Sequence, residues 1–329
     1  VRAIAYDRFG PPEVLRLVEA PAPRPRPNDL LVRVAAAGVN RADLMQRAGF
    51  YGNQAFGDSH LLGLELAGEV IEVGPGITDM RVGDRVMAIV GGGAYAEIAR
   101  VDRGMAVRVP DGLSLIQAAG VMEAFTTAWE AVVNLARVQP GQQVLIHAAA
   151  GGIGSAAVQI ARSLGAIVYA TASAQRAADV RDLGAAAVID YHGADFEAEV
   201  SHLTQSAGVA AVIDFIGGNY LARNLRSLAR GGTLVQVGIM SGDADTSIPL
   251  DLVLHNHLRL FGTVMKSRTP EEKSAMVGRF AAGALPRLAR REIRPVIDRI
   301  LPLERAAEAH QKMESGGGFG KIILAVGEG

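Results

Sequence analysis

The feature that most constrains this chain lies near its middle. An apolar strand pattern, Val144-Leu145-Ile146-His147, runs into the turn Ala148-Ala149-Ala150-Gly151-Gly152-Ile153-Gly154, and an amphipathic helical pattern follows over residues 155–164 before Gly165. Read against G-x-G-x-x-G, the turn has Ala149 at the first position, Gly151 at the second and Gly154 at the third. The second glycine lets the backbone approach a pyrophosphate, and the third lets the helix pack closely on the strand. Backbone N–H groups at the helix N-terminus then face the phosphates, helped by the helix dipole. Ala150, Gly151, Gly152, Ile153 and Gly154 are the expected contacts. Glycines at this spacing also occur in ordinary loops, so the flanking elements decide.

Those elements alternate. Strands are expected at 167–171, 187–191, 210–215 and 233–238, helices at 174–183, 196–206 and 220–229, and a last strand between Leu258 and Met265. That rhythm predicts α/β structure with a doubly wound parallel Rossmann sheet over residues 121–266. The first ~110 residues read instead as short apolar runs (30–36, 69–73, 85–90) between Gly and Pro turn signals. The Pro/Arg stretch 21–27 is expected as an extended surface connection. A C-terminal strand, 321–326, is expected to return to the β-rich domain, which is therefore assembled from residues 1–120 and 267–329. A chain of 329 residues suits two domains.

The end of the second Rossmann strand bears on the nucleotide. An NAD-preferring site places Asp or Glu there, about 20 residues after the glycines, to bind the ribose 2′-hydroxyl. This chain has Ala172-Ser173-Ala174-Gln175-Arg176 and no acid. Ser173 and Arg176 suit a 2′-phosphate, which predicts NADPH, although an exposed helix arginine is common without any ligand.

Composition narrows the chemistry. There is no cysteine, which removes disulfides, iron–sulfur clusters and thiolate zinc sites. The seven histidines show no HExxH-like spacing; His255 and His257 would share a face on an extended strand, but a solvated pair is the plainer reading. A net charge of −1 gives no reason to expect nucleic acid. No apolar run is long enough for a bilayer, and the N-terminal residues become charged too soon for a signal peptide, so a cytosolic location is expected.

Residues 141–162, with Gly151-Gly152-Ile153-Gly154 and Gln159 in place, resemble the quinone oxidoreductase signature of the zinc-free medium-chain dehydrogenase/reductases. Gly63-Leu64-Glu65-Leu66-Ala67-Gly68-Glu69-Val70 is a second marker. The segment from Asn40 to Tyr51, with Ala309-His310 and Gly320-Lys321-Ile322, is similar to the p53-inducible quinone oxidoreductase subgroup. The resemblance implies a GroES-like β domain, a Rossmann domain, and a homodimer formed through the sheet edge between Leu258 and Met265. Zinc-dependent relatives have Cys where this chain has Asn40 and His where it has Leu64, so no metal is expected. Carried over by residue, Thr127 lies near the nicotinamide amide and Tyr191 beside the 2′-phosphate with Arg176. Gly217, Gly238, Thr263 and Val264 flank the nicotinamide. The family's Asn before the C-terminal Gly-Lys is replaced here by Gly318, which weakens any contact from that loop.

The expected activity is NADPH-dependent, zinc-independent reduction of a quinone. Asn40 and Tyr51 are read as lining the acceptor slot; Asn40 is equally suited to capping the helix that begins near Arg41, whereas for Tyr51 the slot is favoured over a half-buried place in a loop. Glu65 is expected as a structural acceptor, Asp84 as part of a turn with a local ion pair, and His147 as a satisfied core residue. Reduction of the activated C=C bond of 2-alkenals or enones is the alternative on the same fold. A non-catalytic NADPH-binding or RNA-binding protein is the alternative of another class.

Overall fold

The computed structural model describes residues 1–50, 59 and 61–327, in two compact units. The first comprises Val1–Thr126, Thr269–Arg290 and Pro295–Gly329; the second comprises Thr127–Arg268 and Arg291–Arg294.

The first unit opens with a two-stranded antiparallel ribbon, β1 (Arg2–Ala5) and β2 (Arg16–Glu19). Then come β3 (Asp29–Gly38), helix α1 (Arg41–Ala48), β4 (Glu65–Val73), β5 (Arg85–Ile89), β6 (Ile98–Asp102) and β7 (Ala106–Arg108). Strand β3 is buried along most of its length and pairs antiparallel with both β4 and β6, which makes it the spine of the unit. Helix α1 stops where Gly49 takes φ 84°, a left-handed value that glycine adopts without strain. Helices α2 (Leu115–Ala118) and α3 (Met122–Trp129) follow, and α3 runs on into a π-helical turn, Glu130–Leu135.

The second unit is the parallel sheet. Its strands are β8 (Gln143–Ile146), β9 (Ile167–Ala172), β10 (Ala187–Asp190), β11 (Val209–Asp214), β12 (Leu228–Gln236) and β13 (Arg259–Gly262). They lie in the order β10-β9-β8-β11-β12-β13, every pair parallel. This is the doubly wound Rossmann order, with its reversal between β8 and β11. Helices α4 (Gly152–Ser163), α5 (Ala177–Asp182), α6 (Phe196–Leu203), α7 (Tyr220–Ser227) and α8 (Leu250–His255) connect the strands. Leu145, Phe196, Val200, Val212, Leu225 and Leu234 are buried together in its core.

Several expected boundaries move. Helix α4 starts at Gly152, three residues before the expected start, so Gly152, Ile153 and Gly154 form its first turn despite the poor helix propensity of glycine. The helix expected at 174–183 divides into a 3-10 turn, Ala174–Arg176, and the shorter α5. The last strand covers only Arg259–Gly262. His255 ends α8 and His257 has φ 52°, so the two do not share a strand face.

The chain then returns to the first unit through α9 (Pro270–Ala289), β14 (Ile297–Pro302), α10 (Ala306–Ser315) and β15 (Lys321–Ala325). Strand β15 pairs parallel with β14 and antiparallel with β3, so it lies inside the sheet order β14-β15-β3-β4-β5-β7. Leu301, Leu303, Ala309, Ile322 and Leu324 join Leu30, Leu66 and Tyr95 in one core. Among the described residues no helix is long and apolar enough to cross a membrane.

Candidate functional site

In the second unit, the expected cofactor residues other than Thr127 lie along the carboxyl ends of the strands. The turn 148–154 follows β8, Ser173 follows β9, and Tyr191 follows β10. Gly217 lies beyond the end of β11, Gly238 beyond that of β12 and Thr263 beyond that of β13. All of these are carboxyl ends, and the turn lies at the topological reversal, where doubly wound sheets bind ligands. The sequence cannot display this convergence, because it depends on strand order.

The turn is sterically specified. Ala148 has φ 47°, and its carbonyl accepts from the N–H of Gly151 at 3.0 Å. A Cβ at Gly154 would collide with that carbonyl oxygen, so only glycine lets α4 approach the strand. A Cβ at Gly151 would stand 3.4 Å from the same atom, and Gly151 is exposed. One glycine therefore serves packing, while the other leaves the outer backbone accessible. The first N–H groups of α4 have no intrahelical acceptor and are available to an anion. This arrangement fits a dinucleotide pyrophosphate.

A buried polar chain fixes the turn from beneath. His147 Nε2 lies 2.8 Å from Asn224 Oδ1, and Asn224 Nδ2 donates to Asp214 Oδ2 at 3.0 Å. With its amide committed as a donor to Asp214, Asn224 accepts from an Nε2–H, so His147 Nδ1 accepts from the Thr171 hydroxyl at 3.0 Å. Burial lowers the pKa of His147 and keeps the ring neutral. The carboxylate of Asp214 also accepts from the N–H groups of Ile216 and Gly217, at 2.7 and 3.1 Å. His147 is thus a satisfied core residue, as expected from sequence.

At the nucleotide end, Ala172 is in register with Asp190, which sets Ser173 beside Tyr191 across neighbouring strand ends. Tyr191 is 44% exposed and stacks at 4.3 Å on His192. Arg176 pairs with Asp179 at 3.1 Å and remains partly exposed. Toward the other end, the Thr263 hydroxyl accepts from Arg268, which also pairs with buried Glu130 at 3.2 Å. Val264 is exposed and Thr127 partly buried.

The first unit contains a separate polar cluster around Asn40. Asn40 precedes α1, and its N–H donates to Asp43 Oδ2 at 2.8 Å. Its side-chain Nδ2 donates to Glu65 Oε1 at 3.0 Å, and its Oδ1 accepts from Lys321 at 2.6 Å. Lys321 also donates to the Val39 carbonyl at 2.8 Å and pairs with Glu65 Oε1 at 2.6 Å. Glu65 is fully buried, and its second oxygen accepts from the N–H of Glu123 at 2.9 Å. Glu65 is therefore the structural acceptor that the sequence predicts, with Lys321 as its counter-ion.

A second chain buttresses α1. Arg47, which can only donate, contacts His310 Nδ1 at 3.2 Å and pairs with Glu314. His310 Nε2 then holds the proton and faces Tyr95 Oη at 3.4 Å, and Tyr95 donates to Asp43 Oδ2 at 3.1 Å. Burial, reinforced by Arg47, lowers the pKa of His310 to about 3. Burial raises Asp43 to about 7.

Lys321, Glu123 and Asp43 were not singled out from the sequence. The available signal was a lone charge at an apolar position: Lys321 opens an apolar strand, and Glu123 interrupts an apolar run from Ala118 to Phe125. Tyr51 lies outside the described residues. At the 83–86 turn, Asp84 pairs with Arg108 at 2.8 Å and Arg81 at 3.6 Å, whereas Arg85 donates to the Leu113 carbonyl. Gly318 lies near Asp298, whose carboxylate accepts from the N–H of Phe319 at 2.8 Å.

Sheet order, glycine turn and GroES-like unit together define a two-domain dehydrogenase of nicotinamide-binding type. The family description "Alcohol dehydrogenase GroES-like domain" matches residues 26–111, and "Zinc-binding dehydrogenase" matches residues 152–282. The quinone oxidoreductase of Rattus norvegicus is 32% identical over 98% of this chain and 97% of its own length. The chain belongs to the medium-chain dehydrogenase/reductase family. Polyketide synthase GfsB of Streptomyces halstedii is 38% identical over 90% of this chain, but the chain spans only 5% of that protein. Among solved structures, an NAD-dependent alcohol dehydrogenase superposes with TM-score 0.89 at 32% identity, over 99% of this chain and 100% of the other. The JamJ enoyl reductase superposes with TM-score 0.88 at 25% identity, over 99% of each.

Proposed function

We propose that this chain is an NADPH-dependent, zinc-independent reductase whose acceptor is a quinone. The observation behind the cofactor choice is the end of β9: Ser173 follows Ala172, Arg176 lies three residues on, and no carboxylate stands between Ala172 and Arg176 to hold a 2′-hydroxyl. Ser173, Arg176 and Tyr191 would hold the 2′-phosphate, and residues 150–154 the pyrophosphate. Gly217, Gly238, Thr263, Val264 and Thr127 would bound the nicotinamide. The bound cofactor supplies a hydride; the protein orients it and excludes water.

Zinc independence is supported by Lys321. Its ammonium, bound by Asn40 Oδ1 and Glu65 Oε1, supplies the positive charge that Glu65 requires, and there is no cysteine. Asn40 is committed to this cluster, so its acceptor-side role is to position α1 and the cluster. Likeness over the full length of the rat enzyme supports the quinone. Likeness to the JamJ enoyl reductase favours a second reading, reduction of an activated C=C bond.

The test is a panel of quinones and 2-alkenals assayed with NADPH and NADH in parallel. NADPH-dependent turnover of quinones at least tenfold above enals is expected, with Arg176→Ala raising KM for NADPH and leaving KM for NADH unchanged. Preference for NADH, or oxidation of NADPH with no acceptor reduced, would reject it.

A further inference from the structure

Three of the segments proposed to bound the nicotinamide meet at one residue that the sequence did not single out. Gln236 ends β12 and is half-buried. It lies in register with Asp214 of β11 on one side and Gly262 of β13 on the other. Its side-chain Nε2 donates to the Gly238 carbonyl at 2.7 Å and, more distantly, to the Asp214 carbonyl at 3.4 Å. Its own backbone carbonyl accepts from the N–H of Thr263 at 2.9 Å. A Cβ at Gly217 would stand 3.6 Å from the same Nε2. Gln236 thus borders Gly217, Gly238 and Thr263 together, and all four belong to the second unit.

Its side-chain amide has one allowed direction. Both neighbours of the terminal nitrogen are carbonyl oxygens, which only an NH2 group can meet, so Oε1 is turned to the other side. Among the described residues Oε1 accepts no hydrogen bond. The amide is therefore an oriented acceptor, with its donors spent on the protein. Neighbouring Thr263 is complementary: its hydroxyl accepts from Arg268 at 3.1 Å and keeps its own proton to donate. The Asp214 carboxylate, at the adjacent strand end, is buried and already accepts from Ile216, Gly217 and Asn224. It offers no competing acceptor. A fixed acceptor next to a donor suits a planar primary amide, which presents one of each.

We propose that Gln236 Oε1 accepts the carboxamide N–H of the nicotinamide, an inference that rests on the cofactor site proposed above. The Thr263 hydroxyl donates to the carboxamide oxygen. A ring held through its carboxamide cannot turn over about its bond to the ribose, so one face of C4 is presented. Gln236 is thereby a specificity-determining residue of the cofactor site: it discriminates against a pyridine ring that has no N–H at this position. The tether of its NH2 group to Gly238 sets the acceptor before the cofactor arrives, which limits the ordering that binding must supply.

The test is calorimetric binding of NADPH and of its 3-acetylpyridine analogue, which keeps the carbonyl and replaces the NH2 by a methyl group. The wild type is expected to bind the analogue about tenfold more weakly, the loss typical of one unmade hydrogen bond. Gln236→Leu and Gln236→Met, which lack the acceptor, should bind the two cofactors within about twofold of each other. Their affinity for 2′,5′-ADP, the adenosine half alone, should match the wild type. A wild type that binds both cofactors equally overturns the proposal, as does a preference that survives in both variants. An equal loss of 2′,5′-ADP affinity in both variants also overturns it, because Gln236 would then be structural. Tighter binding of NADH than of NADPH would remove the NADPH reading alone. The acetylpyridine analogue of NADH would then decide the role of Gln236 by the same comparison.

Discussion

Gln159 grips the backbone of Arg294 from both sides, its amide donating to the Arg294 carbonyl at 2.9 Å and its Oε1 accepting the Arg294 N–H at 2.9 Å. The same amide reaches the Ser155 carbonyl at 3.1 Å, so one buried side chain ties residues 291–294 to α4. Gln159→Leu keeps the volume and removes both partners. It is expected to destabilise the protein by about 1–3 kcal/mol in urea denaturation. Amide exchange at Arg294 should accelerate in step; an unchanged urea midpoint would mean that the clamp contributes nothing.

The glycines of the phosphate turn should separate packing from binding. Gly154→Ala must displace the Ala148 carbonyl and is expected to lose roughly 1–3 kcal/mol of stability, read as a lower Tm. Gly151→Ala places its methyl on the exposed face. It should leave Tm nearly unchanged while weakening NADPH binding measured by fluorescence. Equal effects of both variants on Tm would contradict this division.

Lys321→Met leaves the Glu65 carboxylate buried without its counter-ion. Breaking such a pair typically costs ~3–5 kcal/mol. The double variant Lys321→Met/Glu65→Leu removes both charges and should recover a large part of that loss. If the double variant is as unstable as the single one, packing rather than charge pairing explains the effect.

Stability should decline on the alkaline side of neutrality. Asp43 titrates at about 7 and Glu123 at about 8 in the fold, whereas unfolded carboxylates titrate near pH ~4. The folded state therefore holds protons that the unfolded chain has lost, and this contribution disappears as pH rises through 7 and 8. Buried His310, lowered to about 3, acts oppositely: its contribution disappears as pH falls below ~6.5. The two influences oppose each other at mildly acidic pH, and above pH ~6.5 only the carboxyls remain. Urea midpoints should fall between pH ~6.5 and ~8, and Asp43→Asn should flatten that slope. A flat wild-type profile would show that neither carboxyl holds its proton.

The homodimer proposed from the family resemblance has a specific surface to test. All four residues of β13 are exposed at the open edge of the parallel sheet, and Leu250 and Leu254 on α8 are more than 60% exposed. Exposed edge strands with apolar side chains invite pairing. Phe261→Lys is expected to convert a dimer to a monomer in light scattering; an unchanged mass would place any interface elsewhere.

The sheet was legible in the sequence because period, glycine turns and apolar runs agree along residues 143–262. The return of the C-terminal strand to the β-rich unit was legible as well. The start of α4 was not, because Gly152 and Gly154 oppose helix propensity and are tolerated only for a tertiary reason, the close approach to Ala148. The cluster around Asn40 was half legible: Asn40 and Glu65 stood out through the resemblance, but Lys321 is 281 positions from Asn40. No local pattern reports a contact made by strand insertion. Glu123 was overlooked for a related reason, since a lone acid in an apolar helix acquires meaning only once its burial is known.

The place of β15 between β3 and β14 has a consequence for biosynthesis. The second unit, apart from residues 291–294, is one continuous stretch and can form while the chain is still emerging from the ribosome. The first cannot close before the second is made, because an interior strand of its sheet, β15, must find β3 across the whole second unit. Glu65 waits with it: until Lys321 arrives, the nascent domain has a carboxylate with no ammonium to meet.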